Sequence, residues 1–262
     1  MIEFALDSTI PSVCSQLLER IRETRHLNWW ALIDTVFDYQ KTAFPQHAGS
    51  INCYSDFTLD DLRPAAPCLL PIERGRAAQW LPSLIEHCDA RPMLSFFATS
   101  PTVTGEQLVE QWLPYHWVSP SEGSPLLLRV ADTRTLAILP KVLSPVQWKA
   151  WYQNIDQWHI IDRRGRLAEL PKPETEDKLP TKIEIDNQQF ALFLELSEAD
   201  AALDSLLTES KVLLPSDITG YQFYTQATQA LAQATRDGIE GWPDRADRVL
   251  KTIRPDIVEL EL

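Results

Sequence analysis

Leu126-Leu127-Leu128-Arg129-Val130-Ala131-Asp132-Thr133-Arg134 is an apolar run that ends in three charges of alternating sign and passes straight into a helical pattern. So nearly uncharged a run predicts a strand covered on both faces, and the aspartate before Thr133 predicts a helix start. Outward from it, three other runs share this character: Trp29-Trp30-Ala31-Leu32-Ile33, Cys68-Leu69-Leu70-Pro71-Ile72 and Met93-Leu94-Ser95-Phe96-Phe97. Amphipathic helical stretches separate them. The alternation predicts an α/β domain over residues 1 to 170, a layered sheet with helices packed on it.

Two helix starts are legible in detail. Thr104-Gly105-Glu106-Gln107 forms a capping box, with Val103 placed to pack on Leu108. Ser144-Pro145-Val146-Gln147 repeats the device with proline at the first helical position, and Leu143 is set to meet Trp148. Gln157 to Ile161 and Arg166 to Leu170 flank Asp162-Arg163-Arg164-Gly165, which predicts a glycine-turn hairpin at the sheet edge. Residues 171 to 182, rich in proline and charge, cannot bury enough surface to order themselves, and 171 to 185 is expected to be a linker. Asp186 with Gln189 then opens a helix whose apolar positions include Phe190, Phe193, Leu194, Leu203, Leu206 and Leu207, with a further start expected at Ser197-Glu198-Ala199-Asp200. Helices over 217 to 236 and 244 to 253 complete a small all-helical lobe, residues 186 to 262. No internal repeat is present.

The formal net charge is -13, and residues 171 to 262 carry 9 basic against 18 acidic side chains. Phosphate backbones are repelled by such a surface, which argues against nucleic acid as a partner and leaves either a solvated face or a docking face for a basic protein. No apolar stretch approaches the roughly 18 to 20 residues of a spanning helix. The start Met1-Ile2-Glu3-Phe4-Ala5-Leu6-Asp7 has acids where a signal peptide needs basic residues, so a cytoplasmic location is expected. Cys14, Cys53, Cys68 and Cys88 lack a C-x-x-C pair and are expected as buried reduced thiols.

Motifs that would announce an enzyme are missing. There is no nucleophile elbow, no phosphate-cradling glycine loop and no zinc-ligand spacing, and only eight glycines to allow close backbone approach to a phosphate. The five histidines, His26, His47, His87, His116 and His159, are far apart. His87-Cys88-Asp89 is the nearest approach to a thiol–imidazole cluster, but adjacent helical residues face different ways. Asp34 ends the WWALID run as Asp132 ends its own, so parallel strands would bring both carboxylates to one edge. Such a pair suggests acid–base chemistry or a metal, against a capping role for each. Trp112, Trp117, Trp148, Trp151 and Trp158 are expected to pack inside, any solvent-facing subset being a contact patch.

Taken together, WWALID, His116-Trp117-Val118 before a Ser-Glu-Gly-Ser turn, the Leu126 strand and the stretch Trp148 to Trp158 resemble one family. It is the N-terminal adaptor domain of bacterial type VI secretion effector chaperones, catalogued as a domain of unknown function, in which L-L-R-F-Y-D-P-R opens a helix. The likeness spans residues 29 to 160, with a weaker echo after residue 187. Ala131 stands where an aromatic is usual, and Thr133 replaces the proline. The resemblance implies a non-enzymatic adaptor, without catalytic residue, cofactor or metal, that holds a secreted effector toxin and loads it onto the valine-glycine repeat spike protein. It makes Asp34, Arg129, Asp132 and Arg134 candidate interaction residues, the arginines either bracing a capped helix or clamping an acidic group of a partner. Two other readings remain open: an enzyme with an unrecognised site around Asp34, Asp132 and Arg129, and an immunity protein that neutralises a toxin.

Overall fold

Trp29 and Trp30 leave the backbone on opposite sides, and the core of the first lobe divides along that alternation. Strand β1 (Asn28–Ile33) sends Trp30 and Leu32 to one face and Trp29, Ala31 and Ile33 to the other. The computed structural model describes residues 4–38, 49–54, 61–63, 65–209 and 218–253. Met1-Ile2-Glu3, His47, the side chain of Leu207 and the first residue of the helix expected from 217 lie outside these.

Around β1 run β2 (Ile51–Asn52), β3 (Cys68–Ile72), β4 (Leu94–Thr99), β7 (Ile155–Ile161) and β8 (Leu167–Glu169), in the order β2-β3-β1-β4-β7-β8. Every pairing in this sheet is antiparallel. Short β2 reaches only Cys68 and Leu69, so Pro71, with no N–H to donate, lies on the uncovered stretch of that edge. Helices α1 (Ser12–Glu23) and α2 (Arg74–His87) cover the Trp29 face through Leu17, Ile21, Leu81 and Leu84. Helices α3 (Gly105–Trp112), α4 (Thr133–Val142) and α5 (Pro145–Tyr152) cover the Trp30 face. The layered α/β arrangement is the one expected. Both predicted capping boxes are formed, Thr104 with Gln107 and Ser144 with Gln147. The Asp162–Gly165 turn closes the β7–β8 hairpin, with β8 at the sheet edge.

On the Trp30 face, Trp158 is stacked between Trp112 and Trp148, at centroid distances of 6.0 and 5.9 Å. Each indole N–H is satisfied: Trp158 donates to Ser95 Oγ at 3.2 Å, Trp112 to the Trp151 carbonyl at 3.0 Å and Trp148 to the Pro171 carbonyl at 2.8 Å. Tryptophans placed this way bury large area without orphaning their polar edge.

The Leu126 run corrects the expectation from sequence. Only Leu126–Leu127 is strand (β6), and it belongs to a separate three-stranded sheet, β6-β5-β9, with β5 (Trp117–Pro120) and β9 (Ile183–Ile185). From Leu128 the chain coils into the core. Leu128, Val130 and Ala131 are buried together without strand alternation, and their backbone turns on local bonds such as Val130 N–H to the Leu128 carbonyl. Burial explains the absence of charge as well as a central strand would, and composition does not separate the two.

The stretch read as a linker ends in β9, which pairs in parallel with β5 and buries Ile183 and Ile185. Upstream of it, the Tyr115 hydroxyl donates to the Pro180 carbonyl at 3.0 Å, and Leu179 packs on the core. A single helix follows, α6 (Asn187–Glu209); the second start expected at Ser197 is not used, and the Ser197 hydroxyl bonds the Phe193 carbonyl at 2.7 Å within the helix. Asp186 and Gln189 cap α6 as expected. Its first half rests Phe190 and Phe193 on the α/β core, and its second half places Ala199, Ala202 and Leu203 in a separate core with α7 (Gly220–Arg236) and α8 (Trp242–Ile253).

Residues 4–10 strap the lobes together. The Asp7 and Ile10 N–H groups donate to the carbonyls of Arg163 and Gly165 in the β7–β8 turn, and the Asp7 carboxylate accepts the Tyr221 N–H at the start of α7 at 2.9 Å. Two glycines make room. A Cβ on Gly165 (φ +68°) would collide with the Ser8 carbonyl, and one on Gly220 with the Leu6 backbone.

Candidate functional site

Asp34 and Asp132 do come together, though not through parallel strands. The Asp34 N–H donates to the Met93 carbonyl at 2.8 Å and the Thr133 N–H to the Pro92 carbonyl at 2.9 Å, so adjacent carbonyls anchor the two segments. Asp132 caps α4, accepting the Arg134 N–H at 2.9 Å, at the end of the helix where negative charge is favoured. Arg134 folds back on the same carboxylate through Nε and Nη2, the latter at 2.9 Å. Asp34 plays a similar part for the 3-10 turn Thr35–Asp38, accepting the Val36 N–H at 3.3 Å, and it pairs with Arg129.

Each motif acid therefore has its own arginine. Asp34 is fully buried, and its Oδ2 has no hydrogen-bond partner. Burial pushes its carboxyl pKa up, opposed by the Arg129 guanidinium and reinforced by the neighbouring Asp132. Arg129 is 28% exposed and is the one member of its pair that reaches solvent. Burial works against the Arg134 charge, but Asp132, Asp200 and Asp204 together hold its pKa above the ordinary guanidinium value.

Arg134 also reaches across the lobes to Asp204 on α6 at 3.2 Å. A second ion pair runs beside it, Arg163 in the β7–β8 turn to Asp200 at 2.5 Å, four residues back along the same helix. Arg163 further lies over the Tyr224 ring at 3.7 Å from its centroid. The motif arginine is thus part of an ionic seam, and Asp200, Asp204 and Arg163 are members that sequence reasoning missed. The i, i+4 spacing of the two aspartates on a helix marks them as one face, but nothing in the sequence says what faces them.

Histidines were also misjudged. His116 and His159 are buried, and burial pushes both imidazoles down to about 4. Neither ring nitrogen of His116 reaches a partner at hydrogen-bond geometry, and the ring packs edge-on to Tyr54 and Trp151. At neutral pH it is an uncharged core side chain. His87, Cys88 and Asp89 diverge as expected: Cys88 is in the core under α2, while Asp89 accepts the Thr9 N–H at 2.6 Å. Cys53 and Cys88 are buried but Cys14 and Cys68 only half-buried, and all four are free thiols. Of the five tryptophans singled out, Trp117 alone is exposed, at 38%, in the small sheet that also exposes Leu126.

Among the described residues no group of three or more His, Cys, Asp or Glu side chains is arranged to hold a metal ion, and no helix is long and apolar enough to cross a membrane. The arrangement is suited to holding segments in place. Its acids are paired, capping or buried, and a general base needs an acceptor within reach of substrate.

Comparison with known families matches residues 29–150, just under half the chain, to the family described as domain of unknown function DUF4123. The matched span runs from β1 through the motif charges to α5. That family is associated with type VI secretion effector adaptor and chaperone function. No curated protein and no solved structure matches the chain.

Proposed function

We propose that this chain is a non-enzymatic adaptor that works in the cytoplasm of a secreting bacterium, holding an effector toxin and delivering it to the valine-glycine repeat spike protein. The observation that carries this reading is the similarity of residues 29–150 to a family associated with effector adaptors. Charge pairing supports it: Asp34 with Arg129 and Asp132 with Arg134 are committed to one another, as befits a scaffold. Grip comes from surfaces, and the α/β lobe and helical lobe present separate ones to two partners. Affinity capture from a bacterium with an intact secretion locus is expected to recover both an effector and a spike protein. Recovery of neither sinks the reading.

An enzyme built around Asp34, Asp132 and Arg129 is the second reading, favoured by the unpartnered Oδ2 of Asp34 and its raised pKa. It predicts a small molecule or metal that raises the unfolding temperature and loses that effect in Asp34→Asn. An immunity protein separates by cell: it protects the recipient, whereas an adaptor is needed only in the attacker.

A further inference from the structure

A cleft of about 400 Å³ opens between α4, the β7–β8 turn and the first turns of α7. Its floor is apolar, with Ala137, Ile138 and Ile160, and its walls carry five cations: Arg134, Lys141, Arg163, Arg164 and Arg166. In a chain of net charge -13 this is a local reversal of sign. Three of the five are neutralised in place, Arg134 by Asp132, Arg163 by Asp200 and Arg166 by Asp162. The other two are not.

Arg164 lies over the Tyr221 ring, 4.2 Å from its centroid, and donates to the hydroxyl of that residue at 2.7 Å. Among the described residues neither Arg164 nor Lys141 meets a carboxylate, and both are exposed. The tyrosine covers one face of the Arg164 guanidinium and leaves its edge for a planar acceptor. Arg163 adds an independent sign, because its Nη1 is buried without an acceptor while Nη2 holds Asp200. The hydrogen bond from Arg164 also lowers the Tyr221 hydroxyl pKa, as a surplus of positive charge would.

We propose that this cleft docks an acidic, amphipathic segment of a partner protein: a carboxylate takes the free edges of Arg164 and Lys141, and a neighbouring apolar side chain covers Ala137 and Ile138. With three of the five cations already matched, the remaining charge suits one or two carboxylates and not the row of phosphates in a nucleic acid. The volume lies in the range of side-chain-sized binding pockets, roughly 300 to 1,000 Å³. The identity of the partner rests on the adaptor reading, whereas the chemistry of the cleft does not.

The test is fluorescence anisotropy with a labelled peptide of alternating Glu and Leu and its Gln-for-Glu counterpart, at low and high salt. The acidic peptide is expected to bind at least about tenfold more tightly than the amide one, with the advantage shrinking at high salt. The double reversal Arg164→Glu with Lys141→Glu is expected to weaken the acidic peptide about tenfold and to leave the unfolding temperature unchanged, since both side chains lie outside the cores. Equal binding of the two peptides, indifference to the double reversal, or displacement by inorganic phosphate as effective as by unlabelled acidic peptide overturns the proposal. Affinity capture with the double-reversed protein separates the two ideas. Undiminished recovery of effector and spike defeats the cleft and leaves the adaptor reading standing; failure of the unaltered protein to capture either, with peptide binding intact, does the reverse.

Discussion

The α/β lobe is filled with large side chains and the helical lobe with small ones. On the Trp30 face of the sheet, Trp112, Trp148, Trp151 and Trp158 meet Phe97 and Leu136. In the helical lobe Ala199, Ala202, Ala227 and Ala230 surround Phe223, and the N-terminal strap contributes Ala5. Alanine lets helices approach closely but removes little apolar area from water per residue, so at about 25 cal/mol per Å² the helical core has less to hold it. The difference teaches which lobe leads. The α/β lobe is held by its own interior, whereas the helical lobe draws on the strap, the first half of α6 and the ion pairs of the seam.

The contrast is tested most severely inside the aromatic stack. Trp158→Ala is expected to cost about 3–5 kcal/mol, read as a lowered urea midpoint. A loss near 1 kcal/mol would mean that the stack is dispensable and the contrast false. Acid should find the same region. His116 is neutral in the fold with a pKa of about 4, below its ordinary 6.5, so between those values the unfolded chain binds a proton that the folded chain refuses. Stability therefore falls as pH drops from 6.5 towards 4, by roughly 3 kcal/mol over the full interval. His159, on the opposite face, acts in the same direction. His116→Phe is expected to flatten this limb of the stability–pH curve, and an unchanged curve would show that the imidazole is not the group responsible.

Smaller effects probe the dependent lobe. Gly220→Ala drives a methyl group into the Leu6 backbone and is expected to cost about 1–3 kcal/mol. Amide exchange should quicken at Asp7 and Ile10 and through α7 while the sheet stays protected; equal loss in β1 and β4 would mean the lobes unfold as one unit. Asp204, 47% exposed, should matter least, and a double-mutant cycle of Asp204→Ala with Arg134→Ala is expected to return a coupling below about 1 kcal/mol.

What could be read from sequence was local. Ser144 with Gln147 and Asp186 with Gln189 are complete devices within four residues, and each helix begins where its cap stands. Joining them is a tertiary matter: the Gln189 amide donates to Gln147 Oε1 at 2.8 Å, which ties the starts of α5 and α6 together. The Leu126 run misled because a buried coil and a buried strand share a composition. Arg129 and Arg134 are close in sequence yet serve different acids, Asp34 lying 95 residues from Arg129 and Asp204 lying 70 residues from Arg134. Long-range partners of this kind leave no local periodicity to find.

The strap sets the order in which the chain can be completed during synthesis. Residues 4–10 leave the ribosome before anything else described here, yet the backbone groups that hold them belong to Arg163, Gly165 and Tyr221. They must wait, unattached, until most of the chain has been translated. The first segment made is among the last to be fixed, and a nascent chain halted before α7 would carry it loose.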